Sequence, residues 1–231
     1  MAVSRSSHGA VKRAGKAGGD FLGREFFQRD PLRCARELIG CELFWNGAAG
    51  VIVEVEAYAA VGDEAAHTFN RASAREFVAE HEPGAAYVYM NYGIHWLLNV
   101  LVKGECDGFV LIRALEPTRG VKEMERRRRA SLSSAKALRA EALCSGPGKL
   151  AQALGVDGRD HGRDLCTGRG VGFRRLKAPS MEVVTDVRIG ISKAAHLPWR
   201  FLAHGSGYVS VPHGRAGGQG GVVRKHKGQT R

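Results

Sequence analysis

Two carboxylates and a phenol alternate along a predicted strand at residues 51–58, VIVEVEAY. Successive side chains of a strand point to opposite faces, so Glu54, Glu56 and Tyr58 share one face while the valines occupy the other. A carboxylate in such a position can activate water, and an aromatic ring can stack on a flat ligand. The alternation does not choose between the two glutamates, and a solvent-exposed or salt-bridged Glu54 is the alternative to a catalytic one.

Further planar side chains follow this predicted strand. A turn-prone Gly-Asp pair leads to His67, and the segment AYVYMNYG at residues 86–93 contributes Tyr89 and, in a tight turn, Tyr92. Together with the carboxylates, these rings have the composition of a slot for a flat ligand. The alternative for His67 is a hydrogen-bonded histidine at the end of a loop.

The elements that must position these residues are short strands and helices. A proline at a helix start, an Asn-Gly turn and apolar runs of period two predict helix 31–39, strands 41–45 and 49–58 around Asn46-Gly47, strands 87–90 and 94–102 around 91–93, strand 108–115 and helix 118–142. Residues 68–84 are expected to be a surface connection that can include a helical turn, and residues 181–192 a strand pair or one bulged strand. We expect a mixed α/β fold of the α+β type. It would be one domain, residues 20–211, around a curved, largely antiparallel sheet with flanking helices.

Two basic segments are candidates for contact with phosphate groups. The run ERRRR at residues 125–129 is more typical of a solvated helix face than of a phosphate site. Residues 145–156, SGPGKLAQALGV, predict a loop followed by a short helix from Pro147, where Lys149 and exposed amides could hold one phosphate. A capped helix start explains the same pattern equally well.

The composition indicates a soluble protein without a metal site. The chain has 231 residues, 44% of them apolar, and no apolar run approaches the ~18 residues of a membrane span. Its five cysteines are an odd number, widely spaced and without a CxxC pair, so free thiols in a reducing compartment are expected. The histidines and cysteines also lack the spacing of metal ligands.

Most of the net charge of +12 lies in the two ends of the chain. Residues 1–19 contain four Lys or Arg and residues 212–231 contain five, with no acidic residue in either segment. Both ends are rich in glycine and lack aromatic residues, which is typical of segments without fixed structure. Such basic tails commonly attract nucleic acid through its phosphates, and a merely solubilising tail is the equal alternative.

Six motifs occur in order along the chain: EVEAY, DEAAH, YVYMNYG, LLNV, VLIRALEP and LCSGPGKLAQAL. In order and spacing they resemble the alkyladenine (3-methylpurine) DNA glycosylase family, over residues 21–210. The resemblance implies a monofunctional enzyme that flips a damaged purine out of double-stranded DNA and hydrolyses its N-glycosidic bond, which begins base excision repair. It also implies a monomer without metal or cofactor, in the cytoplasm or nucleoid of a bacterium or the nucleus of a eukaryote.

The resemblance assigns the chemical step to two side chains. Glu56 matches the family's water-activating carboxylate, and Arg113 matches the arginine beside the water and the phosphate. No lysine of the core motifs is placed to attack the sugar, so cleavage of the DNA strand is not expected.

The resemblance also assigns the residues that bind the flipped base. Tyr58 matches the aromatic ring on one side of the base, and His67 and Tyr89 match the opposite wall. Ala65 offers a main-chain acceptor. Asn99 matches the family's filter against the exocyclic amine of guanine, and a hydrogen bond to a neighbouring strand is its alternative role.

A hairpin that enters the minor groove is the last implied feature. Tyr92 matches the residue at its tip that fills the space left by the flipped base. The implied substrates are 3-methyladenine, 7-methylguanine, hypoxanthine and ethenoadenine, without a ranking. Residues 68–84 depart from the family pattern in a segment expected to border the pocket, so they are expected to affect the substrate range.

Two other functions stay open at this point. One is a protein that binds damaged DNA on the same fold without catalysis, against which the presence of Glu56 argues. The other is a hydrolase that acts on free nucleosides or on RNA. A wedge such as Tyr92 has no use on a free nucleoside, and it argues against this second alternative.

Overall fold

The computed structural model describes residues 19–130, 138–177 and 181–216. Within these ranges the chain forms nine strands and six α-helices. In chain order they are β1 (Gly19–Phe21), α1 (Pro31–Leu38), β2 (Glu42–Trp45), β3 (Ala48–Ala59), α2 (His67–Asn70), α3 (Ala72–Glu80), β4 (Ala86–Asn91), β5 (His95–Val102), β6 (Gly108–Arg119), α4 (Val121–Arg129), α5 (Ala140–Leu143), α6 (Pro147–Leu154), β7 (Val171–Leu176), β8 (Val183–Asp186) and β9 (Arg200–Ala203). The predicted basic ends, apart from residues 19 and 212–216, lie outside the described residues.

The nine strands of the described chain join in one open sheet, in which every pair is antiparallel. The strand order is β1-β7-β2-β3-β6-β5-β4, and β9 pairs with both β3 and β8. Strand β3 is central, because it pairs along its length with β6, near its start with β2, and at residues 54–56 with β9. The predicted mixed α/β fold with a largely antiparallel sheet is therefore confirmed.

Two tight turns set the registers of strands that carry predicted site residues. Asn46 and Gly47, between β2 and β3, have φ values of 46° and 91°, as predicted for an Asn-Gly hairpin. Tyr92 and Gly93, between β4 and β5, have φ values of 51° and 68°. The second turn fixes a register in which Tyr87 of β4 lies opposite Asn99 of β5.

Helix α1 begins at Pro31, as predicted, and packs on the sheet. The side chain of Asp30 caps it by accepting hydrogen bonds from the amides of Leu32 (2.8 Å) and Arg33 (3.1 Å). Buried residues of α1, α6 and the central strands form the main hydrophobic core, whose burial is the principal stabilising contribution. Its fully buried members include Phe27, Leu38, Trp45, Leu98, Ile112 and Phe173.

The five cysteines are free thiols, as their spacing predicted. Cys34, Cys41 and Cys144 are buried, and burial raises the pKa of the Cys144 thiol to about 12. Buried thiols of this kind are unreactive. No helix within the described ranges is long and apolar enough to cross a membrane.

Helix α4 is shorter than the helix predicted over residues 118–142. Strand β6 continues to Arg119, because its last residues pair with the start of β3, and Gly120 then turns the chain with φ 72°. Helix α4 ends at Arg129, and residues 131–137 lie outside the described part of the chain.

Two further segments differ from the prediction. Residues 68–84 hold most of α2 and all of α3, because Ala74, Phe77 and Val78 share a buried face at helical spacing. Of residues 181–192, only Val183–Asp186 forms a strand. After Asp186 the chain leaves the sheet and forms a loop, residues 187–191, which is part of the candidate active site.

The arginine run of α4 is only partly solvated. Arg127 donates to the last carbonyl groups of α6 at 3.1 and 2.8 Å, where a cation favours the helix dipole. Arg128 is buried and contacts Gln152 of α6. Arg126 and Arg129 lie at the surface and bridge to glutamates of α4 itself. The run therefore joins α4 to α6.

Candidate active site

A cavity of about 370 Å³ opens beside the central strands, with walls from β3, β4, β5, β6 and the loop 187–191. Most of the predicted site residues border it: Tyr58, Ala65, His67, Tyr89, Tyr92, Asn99 and Arg113. Its size is that of a pocket for one small ligand. The fold thus brings together residues that are spread over more than 50 positions of the sequence.

Glu56 lies directly behind the cavity wall and is fully buried. Its Oε2 accepts a hydrogen bond from the Tyr58 hydroxyl at 2.8 Å and faces Nη1 of Arg113 at 3.1 Å. Its Oε1 accepts from the main-chain amide of Ile189 at 2.8 Å. A carboxylate offers about four acceptor sites. The two hydrogen-bond donors and the one ion-pair partner therefore leave capacity for a further donor, such as a water molecule.

Tyr58, Arg113 and Ile189 line the cavity, whereas Glu56 itself does not. The carboxylate is therefore covered by its own partners. A water molecule reaches it only when one of these partners moves. The Tyr58 hydroxyl is the candidate, because Arg113 is also held by Glu54 and the Ile189 amide belongs to the main chain.

Glu54 is equally buried but has different partners. Its Oε1 accepts from Nε of Arg113 at 2.9 Å, from Nη1 of Arg200 at 3.1 Å and from the Ser210 hydroxyl at 2.8 Å. Its Oε2 accepts from the Ser210 amide. Glu54 is thus occupied in holding Arg113 in place. This contact set separates the two glutamates, which alternation alone left equivalent.

The aromatic walls of the cavity are electrically neutral near pH 7. The rings of His67 and Tyr89 lie 4.2 Å apart, and Nδ1 of His67 bonds to the Tyr87 hydroxyl at 3.1 Å. Burial, with a smaller effect of the Arg71 cation, lowers the pKa of His67 to about 4. Burial raises the pKa of Tyr89 to about 12, and burial together with the Glu56 charge raises the pKa of Tyr58 well above its ordinary value.

Asn99 is buried in the cavity wall. Its Nδ2 donates to the main-chain oxygen of Tyr87 at 3.0 Å, across the β4–β5 pair. The cross-strand bond of its alternative role is therefore present, and the side chain faces the cavity as well. The bond fixes the orientation of the amide group.

The β4–β5 hairpin projects apolar side chains from the protein. Tyr92 at its tip is 84% exposed, and Met90 and Ile94 on either side are 42% and 71% exposed. Large exposed apolar side chains grouped in this way mark an interaction surface. The tip borders the cavity, since Tyr92 also lines it.

Lys149 lies outside the cavity wall. It is an exposed residue of α6, two positions after Pro147, which does border the cavity. Its contact with phosphate stays a prediction.

Sequence reasoning missed the loop 187–191 and its anchor. Ile189 donates to Glu56, and Arg188 pairs with Asp63 at 2.5 Å. A charged residue within an apolar segment and the nearby Gly190 were the available signals. The prediction that residues 68–84 border the pocket is wrong, because none of them lines it and Phe77 instead packs behind Tyr87 at 5.0 Å.

Comparison with known proteins agrees with this geometry. Residues 25–207 match the family described as Methylpurine-DNA glycosylase (MPG). The chain is 49% identical over 195 residues to a Rhodopseudomonas palustris (strain HaA2) protein named "Putative 3-methyladenine DNA glycosylase", with 84% of this chain and 92% of the relative covered. Proteins of the same name from Bradyrhizobium diazoefficiens and Rhizobium etli are 43% and 41% identical, with 84% and 86% of this chain and 92% and 93% of the relatives covered. The resemblance found in the six motifs is confirmed.

Proposed function

The chain belongs to the methylpurine-DNA glycosylase family, and we propose that this DNA glycosylase removes alkylated purines, 3-methyladenine first among them, with a water molecule activated by Glu56. The enzyme acts as a monomer on double-stranded DNA. One observation carries the proposal: a buried carboxylate, surrounded by donors, lies directly behind an aromatic cavity of the size of a small-ligand pocket.

The base is bound by stacking outside the double helix. A base within a duplex hides its glycosidic bond, so it must first be extruded at a cost of a few kcal/mol. Stacking of a base on an aromatic side chain contributes about 1–3 kcal/mol. Tyr58 on one side of the base and His67 and Tyr89 on the other offset the cost of extrusion.

The hairpin tip holds the duplex open. Tyr92 enters the space that the extruded nucleotide leaves, as apolar wedges do in other minor-groove proteins. The exposed Met90 and Ile94 lie against the neighbouring sugars and bases. Because Tyr92 also borders the cavity, the wedge and the slot act on the same nucleotide.

The reaction is hydrolysis at C1′ of the sugar. The entering base moves the Tyr58 hydroxyl away from Glu56, and water takes its place at Oε2. Water oxygen bonds to C1′, its proton passes to Glu56, and the C1′–N bond breaks with its electron pair leaving on the base. Arg113, held by Glu54, stabilises negative charge on Glu56 and on the adjacent phosphate.

The neutral aromatic walls favour positively charged bases. A cation placed over an aromatic face gains about 0.5–2 kcal/mol. N3- and N7-alkylated purines carry such a charge and also leave without prior protonation. Hypoxanthine and ethenoadenine lack the charge, so we propose that they are released more slowly. We also propose that Asn99 disfavours bases that carry an exocyclic amine at the same position as guanine.

The test compares wild type, Glu56→Gln and the control Glu64→Gln on duplexes with one hypoxanthine and on methylated DNA. Glu64 is an exposed acid of the same region, paired only loosely with Lys193 at 3.7 Å. We expect wild type and Glu64→Gln to release base and leave alkali-labile abasic sites. Glu56→Gln should bind the duplex and release base at least about 100-fold more slowly, the usual contribution of a general base.

Each alternative has its own outcome. Wild type that binds damaged duplex and releases no base from either substrate would support the non-catalytic function. Full activity of Glu56→Gln would contradict the role of Glu56. Release from free nucleosides at a rate equal to that from duplex would contradict the role of the hairpin.

A further inference from the structure

A second buried ion pair lies behind the cavity, and the proposed chemistry does not use it. Arg188 is 3% exposed and Asp63 is 1% exposed. The two terminal nitrogens of the guanidinium each donate to one carboxylate oxygen, Nη1 to Oδ2 at 2.5 Å and Nη2 to Oδ1 at 2.8 Å. Such a bidentate pair fixes the relative orientation of its partners as well as their distance.

The guanidinium of Arg188 is also held between two aromatic rings. Its Cζ lies 4.6 Å from the ring centre of Tyr58 and 5.1 Å from that of Trp199. Its Nη1 donates to the main-chain oxygen of Ala57 at 3.0 Å. Arg188 therefore supports, from behind, the ring that forms one wall of the base slot.

Each member of the pair also fixes a loop of the cavity. Asp63 accepts from the amide of Ala65 at 3.1 Å, and Ala65 lies two residues before His67 on the cavity wall. Arg188 is followed directly by Ile189, whose amide donates to Glu56. One ion pair thus connects the loop that carries the base-binding residues to the loop that contacts the catalytic carboxylate.

We propose that Arg188 and Asp63 form a positioning pair that sets the alignment of the flipped base with the water on Glu56. The inference rests on the proposed function. The pair supports the Tyr58 ring from behind and sets the spacing between the loops 63–67 and 187–191. Without it, the base still enters and stacks, but C1′ and the water are misaligned.

A purely structural role makes a different prediction. A buried ion pair is often replaceable by neutral residues without loss of stability, whereas removal of one partner leaves a buried charge and destabilises the protein. Replacement of both partners therefore restores the fold. Under a structural role it also restores activity, and under a positioning role it does not.

The chain provides a matched control at the other side of the sheet. Arg174 of β7 contacts Glu42 of β2 at 3.1 Å and lies 4.9 Å from the ring centre of Phe44. Both residues are 8% exposed, and neither β2 nor β7 contributes to the cavity wall. The control is therefore also a buried Arg–carboxylate ion pair beside an aromatic ring, joined through Nε and without the connection to the slot.

The experiment uses a duplex with one hypoxanthine. It measures the rate of base release in a single turnover and the enzyme concentration at half-saturation. The melting temperature of each protein variant is measured separately. The variants are Asp63→Asn, Asp63→Asn/Arg188→Gln and the control Glu42→Gln/Arg174→Gln. We expect Asp63→Asn to melt lowest and the double variant to regain most of that loss. At saturation, the double variant should still release base at least about 30-fold more slowly than wild type. Its half-saturating concentration should stay within threefold of wild type. The control should stay within twofold of the wild-type rate.

Four results decide the matter. A double variant with the wild-type rate, or a control that is slowed equally, would overturn the positioning role while leaving the proposed function intact. Wild type that releases no base from either the hypoxanthine duplex or methylated DNA would overturn the proposed function and this inference with it. If the double variant does not fold, Arg188→Lys serves instead: it keeps the charge opposite Asp63 but lacks the planar fork, so a wild-type rate would again overturn the inference.

Discussion

Glu54 and Glu56 differ in their partners, although they are buried to the same extent. Arg113 bridges them, with Nε on Glu54 and Nη1 on Glu56. Ser210 and Arg200 occupy Glu54 from inside the protein, whereas the partners of Glu56 belong to the cavity wall. One carboxylate therefore positions the arginine, and the other is the one that we propose for the chemical step.

The shared face of Glu54, Glu56 and Tyr58 follows from the sequence, because alternation is a local property of a strand. The choice between the glutamates does not. The contact from Ser210 to Glu54 joins positions 156 residues apart, and the contact from Ile189 to Glu56 joins positions 133 apart. No local pattern encodes either of them, so the residue-by-residue resemblance to a known family had to make that choice.

His67 predicts a pH dependence of stability. Its pKa is about 4 in the folded protein against an ordinary value of 6.5, so the folded state binds this proton more weakly than the unfolded state. The free energy of unfolding therefore falls as the pH decreases from about 6.5 to about 4, and this group has no effect well above 6.5. In His67→Gln, the melting temperature should decrease less between pH 7 and 4.5 than in wild type.

Thermal unfolding of both proteins from pH 4.5 to 8 checks this expectation. The carboxylates titrate in both proteins and cancel in the comparison. The difference between the two melting temperatures should be constant above pH 7 and should change progressively below 6.5. Parallel curves over the whole range would contradict the low pKa of His67.

The elements were predicted best where a local signal ends or turns the chain. Pro31, the Asn46-Gly47 turn and Pro147 each begin or connect an element at the expected position. Errors arose where tertiary pairing overrode local preference. Strand β6 extends to Arg119 because β3 offers it a partner, and residues 187–191 leave the sheet because Arg188 finds its partners inside the protein.

The contact of α4 with α6 gives a prediction at the scale of elements. Arg127→Gln removes the charge that faces the last carbonyl groups of α6, and it should lower the free energy of unfolding by about 1–2 kcal/mol. Arg129→Gln, at the surface of the same helix, should lower it by less than about 0.5 kcal/mol. Urea unfolding of both variants measures the difference.

The same pair of variants tests whether the arginine run binds DNA. If it does not, the salt dependence of binding to double-stranded DNA should be the same for both variants and for wild type. A shallower salt dependence of Arg129→Gln would show that this residue contacts phosphate.

Equal stability of the two variants would contradict the structural role of Arg127.

At the scale of the whole molecule, residues near the end of the described chain bond to residues beside the cavity, whose wall comes mostly from residues 58–113. Ser210 bonds to Glu54, the main-chain oxygen of Val211 accepts from Arg200, and the amide of Gly214 donates to Asp186. These contacts hold the segment 210–214 across β8 and β9, behind the catalytic strand. The composition of this segment, rich in small residues, did not predict such a role.

Two truncations measure the contribution of this segment and test the predicted domain boundary at residue 211. A chain that ends after residue 216 keeps every contact named above and serves as the reference for stability. A chain that ends after residue 209 loses two hydrogen bonds to the buried Glu54, and its free energy of unfolding should fall by about 3 kcal/mol or more. Equal stability of the two truncated proteins would contradict this role.

Under the proposed function, the hydrogen bond from Tyr58 to Glu56 would keep the resting enzyme inactive. Filling of the slot and exposure of the carboxylate would then be one event, and recognition would be coupled to reactivity. We expect a ligand smaller than a purine, such as a pyrimidine, to occupy the slot and leave the tyrosine in place. Selectivity then includes a minimum ring size, enforced at the moment of activation and independent of how tightly the base is bound.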